Sequence, residues 1–148
     1  MKILVVNGPN LNLLGVRDKT QYGSTTLLSI HSLVVNEFPK ISFTFFQSNS
    51  EAEITTTLQN HTKFDGIILN PGAFSHTSVA IRDAVESIKI PIVEVHLSNI
   101  SSRENFRKRQ ITTSKVVGYI SGFKENSYLA GVYILTKMIE SDSKKEVK

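Results

Sequence analysis

With 148 residues, 40% of them hydrophobic and 20% charged, the chain has the size and composition of one soluble globular domain. Its formal net charge of +4 is not gathered into a basic stripe interleaved with aromatic residues, which argues against nucleic acid as a partner, and no apolar run approaches the roughly 18 residues that a membrane span requires. The absence of cysteine excludes disulfides, zinc–thiolate sites and a cysteine nucleophile, and it is consistent with a cytoplasmic protein.

Five short segments predict the strands of a sheet. Residues 2–6, 66–69 and 91–95 are largely apolar, which is typical of strands buried on both faces. Residues 41–45 alternate between apolar and polar side chains, as expected of a strand at a sheet edge. A fifth strand is predicted near 116–120.

The segments between these strands carry helical signals or form polar loops. Apolar residues recur at helical spacing after the hydroxyl-rich caps 24–26 and 48–50. Residues 11–23 lack a clean period and contain two glycines, so a long mobile loop is predicted there. The predicted helices cover about 27–38, 51–58, 77–87 and 125–139.

This alternation of strands and helices predicts an α/β fold with a flavodoxin-like, doubly wound, five-stranded parallel sheet. The commonest order for five strands in such a sheet is 2-1-3-4-5, which places strand one beside strand three and strand four beyond it. We expect a single domain over residues 1–140. The lysine-containing segment 141–148 is expected to be a disordered tail.

Polar side chains lie at the carboxyl ends of the first, third and fourth strands, where ligands of open parallel sheets bind. Taken singly, each has an ordinary explanation, because asparagines beside glycine and proline form turns and loop arginines are usually solvated. Their convergence on one crevice is the argument for a site. The candidates are Asn10, Asn12, Arg17 and Tyr22 after strand one, Asn70 and His76 after strand three, and Glu94, His96, Ser98, Asn99, Arg103 and Arg107 in or after strand four.

Glu94 and His96 are the hardest of these residues to explain by structure alone. Because side chains alternate along a strand, the two lie on the same face of an otherwise apolar strand. Two ionisable groups there are costly unless they are satisfied or functional. His76, which closely follows the central strand, is the rival candidate for a catalytic imidazole. His31 and His61 are assigned to structure.

Cofactor and metal sites find little support in the sequence. The segment 7–15 contains glycine but matches neither the dinucleotide-binding pattern nor the P-loop pattern. A metal site needs more ligands than the scattered histidines and Glu94 provide. We therefore expect no cofactor and no metal, and an enzyme that applies acid–base chemistry to a small, polar, anionic molecule. A different cofactor-free lyase or isomerase, and a non-catalytic binding protein of the same fold, are the alternatives.

Seven blocks of the sequence, in order and at family-like spacing, resemble the type II 3-dehydroquinate dehydratases. The resemblance covers nearly the whole chain before the tail. It implies a flavodoxin-like fold, no cofactor, and the trans elimination of water from 3-dehydroquinate to 3-dehydroshikimate in the shikimate pathway. It also implies a homo-oligomer, a dodecamer built from trimers. The blocks are 7–15, 22–23, 47–49, 70–78, 82–83, 94–99 and 103–107.

The resemblance further implies catalytic roles for five residues. Tyr22 matches the general base that removes a proton next to the ketone, and Arg17 matches the arginine that stabilises its phenolate. Asn10 matches a residue that stabilises the enolate through a bound water. His96 matches the general acid that protonates the departing hydroxyl, with Glu94 orienting its imidazole. The predicted mobile loop that carries the base then becomes a lid.

Six other positions match residues that hold the substrate. Two departures from the family pattern, Ser101 in place of a frequent histidine and the segment 108–110, affect loop contacts rather than the chemistry. The six matches are the hydroxyl-binding residues Asn70, His76 and Arg107, a carboxylate cradle formed by Leu97 and Ser98, and Asp83, which the neighbouring subunit supplies.

Overall fold

Five parallel strands form one sheet in the order β2-β1-β3-β4-β5, which confirms the predicted flavodoxin-like topology. The computed structural model describes residues 1–16 and 25–146. Within these ranges, no helix has both the length and the apolar character to span a membrane. The strands are β1 (Lys2–Asn7), β2 (Ser42–Gln47), β3 (Gly66–Asn70), β4 (Ile92–His96) and β5 (Gly118–Ser121).

The helices follow the predicted order, with one division that the sequence did not predict. Ser78 interrupts the helix predicted over 77–87, because its backbone leaves the helical conformation (φ −91°, ψ 100°) and its hydroxyl accepts a hydrogen bond from the Ile81 amide. The last helix enters the segment 141–148, and the predicted boundary at residue 140 with a disordered tail stays a prediction. The helices are α1 (Leu27–Glu37), α2 (Glu51–Gln59), α3 (Phe74–Thr77), α4 (Val79–Ser87) and α5 (Asn126–Glu146).

Hydroxyl side chains begin helices α1 and α2, as the sequence predicts. Thr26 precedes α1 and forms a reciprocal capping box with Ser29, each side chain accepting from the other's backbone amide. Ser50 precedes α2, and its hydroxyl accepts a hydrogen bond from the Glu53 amide at 3.4 Å. These caps satisfy amides that have no partner inside the helix.

The side chains of β1 and β3 alternate between two apolar layers, one on each face of the sheet. Ile3 and Ile68 belong to the layer that includes α1 and α5, whereas Leu4 and Ile67 belong to the layer that includes α2 and α4. Both strands are buried on both faces, except for the first residue of β1. The outer strand β2 keeps exposed side chains at alternate positions, which confirms its predicted place at the sheet edge.

The turns after β1 and β3 touch each other at the carboxyl edge of the sheet. Asn7 and Asn70 are register partners, and the Gly8 amide donates to the Asn70 carbonyl at 2.7 Å. A Cβ atom at Gly8 would lie 2.4 Å from the Pro71 carbonyl oxygen, so only glycine permits this approach. The two turns therefore form a continuous floor between the strand ends.

The His31 side chain makes stability dependent on pH. Its ring stacks on Phe45 with a centroid distance of 4.0 Å, and burial lowers its pKa from the usual value of 6.5. The folded protein thus favours the neutral imidazole, and the unfolded chain takes up more protons as pH falls below 6.5. Stability from this group is present above that pH and is lost on acidification.

We predict that His31→Phe reduces the loss of unfolding free energy between pH 7.5 and pH 5. His76 has a pKa shifted in the same direction, so some dependence persists in the variant. Urea unfolding at a series of pH values measures the effect. Equal pH dependence in the wild type and the variant would contradict the assignment.

Candidate active site

A cavity opens at the carboxyl edge of β1, β3 and β4, in the place that the topology predicts for a ligand. Most of the side chains predicted for the site line this one cavity. Glu94 is not part of the lining but bonds His96, which is. The predicted residues that line the cavity are Asn10, Asn70, His76, His96, Leu97, Ser98, Arg103 and Arg107.

Asn10 is held at the cavity by side chains that follow β2. Its backbone has a positive φ of 66°, a conformation that asparagine tolerates better than most residues. The Asn10 amide donates to Asn49 Oδ1 at 2.9 Å, and the Gln47 side chain donates to the same oxygen at 3.2 Å. Gln47 also reaches the Gly8 carbonyl at 3.3 Å. The block 47–49 therefore positions the loop after β1. Asn12 contributes a weaker contact, because its Oδ1 lies 3.5 Å from Gln47 Nε2.

Glu94 and His96 form a buried pair on one face of β4, as the alternation of the strand predicts. The Glu94 side chain is 0% exposed and that of His96 is 4% exposed. His96 Nε2 lies 2.7 Å from Glu94 Oε1. Because the carboxylate accepts a hydrogen bond from Nε2–H, Nδ1 is the ring nitrogen that remains for a partner in the cavity.

Two buried hydroxyls that the sequence did not single out support this pair. Ser75 Oγ donates to Glu94 Oε1 at 2.9 Å, and Thr112 Oγ1 donates to Ser75 Oγ at 3.2 Å. Ser75 and Ser78 lie in a hydroxyl-rich segment of the kind that caps helices. It is Ser78 that caps the helix α4, because its hydroxyl accepts a hydrogen bond from the Ile81 amide. Thr112 lies in a polar stretch and carries no signal at all. Both side chains are fully buried.

His76 lines the cavity, and a backbone carbonyl holds its ring. Its Nδ1 lies 2.9 Å from the Arg109 carbonyl oxygen, which only accepts hydrogen bonds, so the proton of the neutral ring is on Nδ1 and Nε2 is a buried acceptor without a partner among the described residues. Burial lowers the pKa of His76, and Arg107 lowers it further. The segment 108–110, which departs from the family pattern, contributes here through a backbone carbonyl. The identity of its side chains therefore does not affect this contact.

Two arginines give one wall of the cavity a positive charge. Arg103 Nη1 donates to Ser98 Oγ at 3.3 Å, and Arg107 Nε donates to Glu104 Oε2 at 2.9 Å. A hydrogen bond from its own backbone amide lowers the pKa of Glu104, and Arg103 and Arg107 lower it further. One exposed carboxylate thus faces two guanidinium groups, which leaves the wall cationic and suited to an anion.

Of the predicted site residues that the structure describes, Asn12, Asp83, Glu94 and Asn99 are not among those that line the cavity. Asp83 lies on α4 with its side chain 59% exposed and pairs with Arg82 at 2.6 Å. Arg17 and Tyr22 fall in the segment 17–24, outside the described residues. In the parts of the chain that the structure describes, no group of three or more histidine and acidic side chains is arranged to hold a metal ion.

The topology, and a cavity at the carboxyl edge of the sheet with a buried Glu94–His96 pair, are typical of a flavodoxin-like enzyme. Within that class, the chain belongs to the class II dehydroquinase family, whose model matches residues 1–136. This confirms the family resemblance seen in the sequence.

Individual relatives and solved structures agree with that membership. The 3-dehydroquinate dehydratase of Caldicellulosiruptor saccharolyticus is 50% identical over 143 residues, which cover 93% of this chain and 98% of the relative. That of Prochlorococcus marinus is 48% identical over 145 residues, covering 95% and 99% of the two chains. The crystal structure of type II dehydroquinase from Butyrivibrio crossotus superimposes with a TM-score of 0.90 at 39% identity, covering 92% and 97%.

We predict that Ser75→Ala lowers the free energy of unfolding by about 1–2 kcal/mol, because Glu94 loses a donor inside the protein. Urea unfolding at pH 7 measures the change. Ser114→Ala is the control, since that exposed hydroxyl bonds the Ile111 carbonyl in the same loop. A Ser75→Ala variant as stable as this control would show that the bond to Glu94 contributes nothing.

Proposed function

We propose that this protein is a 3-dehydroquinate dehydratase, which eliminates water in the trans sense from 3-dehydroquinate to give 3-dehydroshikimate. The observation that carries the proposal is the buried Glu94–His96 pair at a cavity with a cationic wall. Relatives that share about half of the sequence bear this name. We further propose that the enzyme acts in the cytoplasm, in the shikimate pathway.

His96 is the proposed general acid, which protonates the departing hydroxyl. Its Nε2 bond to Glu94 holds the ring in place, while its Nδ1 is available to the cavity. Glu94 acts through the imidazole rather than on the substrate. His76 is the weaker candidate for this role, because its Nδ1 bonds a backbone carbonyl and its lowered pKa favours the neutral ring.

Tyr22 is the proposed general base, with Arg17 stabilising its phenolate. A free phenol has a pKa of about 10, and lowering it by about 2 units requires about 2.7 kcal/mol of differential stabilisation. A guanidinium in a partly desolvated site supplies much of that energy. These two roles rest on the sequence resemblance, as does the proposal that the loop 11–23 is a lid.

The remaining cavity residues are proposed to bind the substrate and stabilise its enolate. Asn70, His76 and Arg107 take the hydroxyls, and the bare Nε2 of His76 suits a hydroxyl donor. Leu97 and Ser98 offer the carboxylate cradle next to the cationic wall. Asn10 is the proposed site of a water that stabilises the developing enolate oxygen. No cofactor enters this scheme.

We also propose that the protein is a dodecamer built from trimers, in which Asp83 reaches the cavity of a neighbouring subunit. Its side chain is exposed and pairs with the adjacent Arg82, and it does not line the cavity of its own subunit. A second copy of the chain is the partner that this arrangement suits.

Turnover of purified protein with 3-dehydroquinate tests the proposed function, through the ultraviolet absorbance of the conjugated enone product. We predict turnover without added cofactor. Tyr22→Phe is expected to lower kcat by at least about 100-fold with substrate binding largely retained, because only the proton acceptor is lost. Tyr119→Phe, at an exposed position, is the matched control.

A folded wild-type protein that produces no absorbance at micromolar concentration would contradict the dehydratase proposal. Binding of 3-dehydroquinate without turnover would favour a non-catalytic binding protein, and turnover of a different hydroxy ketone alone would favour another lyase. Near-normal turnover by Tyr22→Phe would remove that residue from its role without affecting the proposed reaction.

Light scattering of the purified protein tests the proposed assembly. We predict a mass about twelve times that of the 16.5 kDa chain. A trimer would show that the larger association does not form, and a monomer with full activity would contradict the role of Asp83 as a residue supplied by a neighbour.

A further inference from the structure

A chain of hydrogen bonds runs across the sheet beneath the cavity and passes through a buried tyrosine. Asn7 Nδ2 donates to the Phe46 carbonyl at 3.4 Å. Tyr128 Oη donates to Asn7 Oδ1 at 2.6 Å and accepts from Asn70 Nδ2 at 2.8 Å. The Gly72 amide donates to Asn70 Oδ1 at 3.2 Å. The chain thus joins β2, β1, α5 and β3 to the turn after β3.

Backbone groups at its two ends determine the direction of every bond in this chain. The Phe46 carbonyl only accepts, so it must meet the nitrogen of the Asn7 amide. The Gly72 amide only donates, so it must meet the oxygen of the Asn70 amide. The hydroxyl of Tyr128 must then donate to Asn7 and accept from Asn70. In this arrangement each of the four hydrogen bonds joins a donor to an acceptor. Burial raises the pKa of Tyr128, which keeps the hydroxyl protonated.

The position of Tyr128 depends on the close approach of α5 to the sheet. The residue is 0% exposed and lies in the first turn of that helix. A Cβ atom at Gly131 would lie 2.8 Å from Val95 Cγ1, so glycine there allows the helix to pack directly on β4. The hydroxyl of Tyr128 thereby reaches two strand ends that are register partners.

We propose that Tyr128 is a positioning residue for substrate binding, because its hydroxyl sets the orientation of the Asn70 amide at the cavity. With one Nδ2 hydrogen on Tyr128 and one Oδ1 lone pair on Gly72, Asn70 keeps one donor and one acceptor for a ligand. This inference rests on the proposed role of Asn70 in holding the substrate. Tyr128 itself is not among the residues that line the cavity.

Tyr128→Phe removes the hydroxyl alone and takes one partner from each of two buried amides, the donor to Asn7 Oδ1 and the acceptor of Asn70 Nδ2. We expect KM for 3-dehydroquinate to rise about 5- to 20-fold with kcat within about 2-fold of the wild-type value. The reason is that the Asn70 amide loses its fixed orientation for binding, while the groups proposed to transfer protons are unchanged. Tyr133→Phe on the same helix, at a side chain 57% exposed, is the matched control and should leave both constants unchanged.

A double-mutant cycle separates positioning from general destabilisation. In an Asn70→Ala background, Tyr128→Phe should add less than about 2-fold to KM. Effects that multiply in full, or an unchanged KM in folded Tyr128→Phe, would overturn the proposal. If Tyr128→Phe does not fold, Asn7→Ala is measured in its place. This variant removes the acceptor of the Tyr128 hydroxyl, and KM should rise by a smaller factor than that expected for Tyr128→Phe.

A measurement independent of turnover distinguishes failure of this inference from failure of the proposed function. The side-chain amide signals of Asn70 in a ¹⁵N-correlated NMR spectrum are identified by their loss in Asn70→Ala. We expect them to shift in Tyr128→Phe and not in Tyr133→Phe. Unshifted signals would overturn the role of Tyr128 even in an active enzyme. Shifted signals in a wild type that does not turn over 3-dehydroquinate would support the orientation of Asn70 and contradict only the dehydratase proposal.

Discussion

The placement of a carboxylate in the fully buried strand β4 is the constraint on which the rest of the site depends. A buried carboxyl group is tolerated there only if hydrogen bonds replace the water that it loses. His96 and Ser75 supply these on a single oxygen. The polar side chains under the cavity are therefore arranged around the buried carboxyl group of Glu94, and they supply the hydrogen bonds that one of its oxygens accepts.

Two hydrogen-bond chains follow from this need for satisfied polar groups under the cavity. One runs from Thr112 through Ser75 to Glu94, and the other runs from Asn70 through Tyr128 to Asn7. Each chain draws a hydroxyl from a segment distant in sequence. Hydrogen bonds of this kind restrict the side chains that they join to one orientation, although Glu94 Oε2 has no partner among the described residues. The cavity is thereby lined by groups whose donors and acceptors are already arranged.

This arrangement fits a division of labour in the proposed reaction. The floor that the structure describes holds donors, acceptors and the proposed acid in fixed positions, which is the arrangement that stabilises developing charge without reorganisation. The proposed base, Tyr22, belongs instead to the segment 17–24, so in this proposal the group that removes the proton and the groups that receive the charge come from different parts of the chain.

The sequence by itself determined the order of the strands, the buried character of β1, β3 and β4, and the pairing of Glu94 with His96. The buried strands and the shared face of Glu94 and His96 follow from local rules, because strand side chains alternate with a period of two and turns break apolar runs. The strand order follows from the commonest topology of five-stranded parallel sheets. It also placed Asn70, His76 and Arg107 near one sheet edge, since parallel strands end together. Only the tertiary structure revealed Ser75 and Thr112 as partners of Glu94, and Tyr128 as a partner of Asn7 across 121 residues. Which buried hydroxyl meets which amide depends on how closely helices and loops pack on the sheet, and no local pattern of residues encodes that distance.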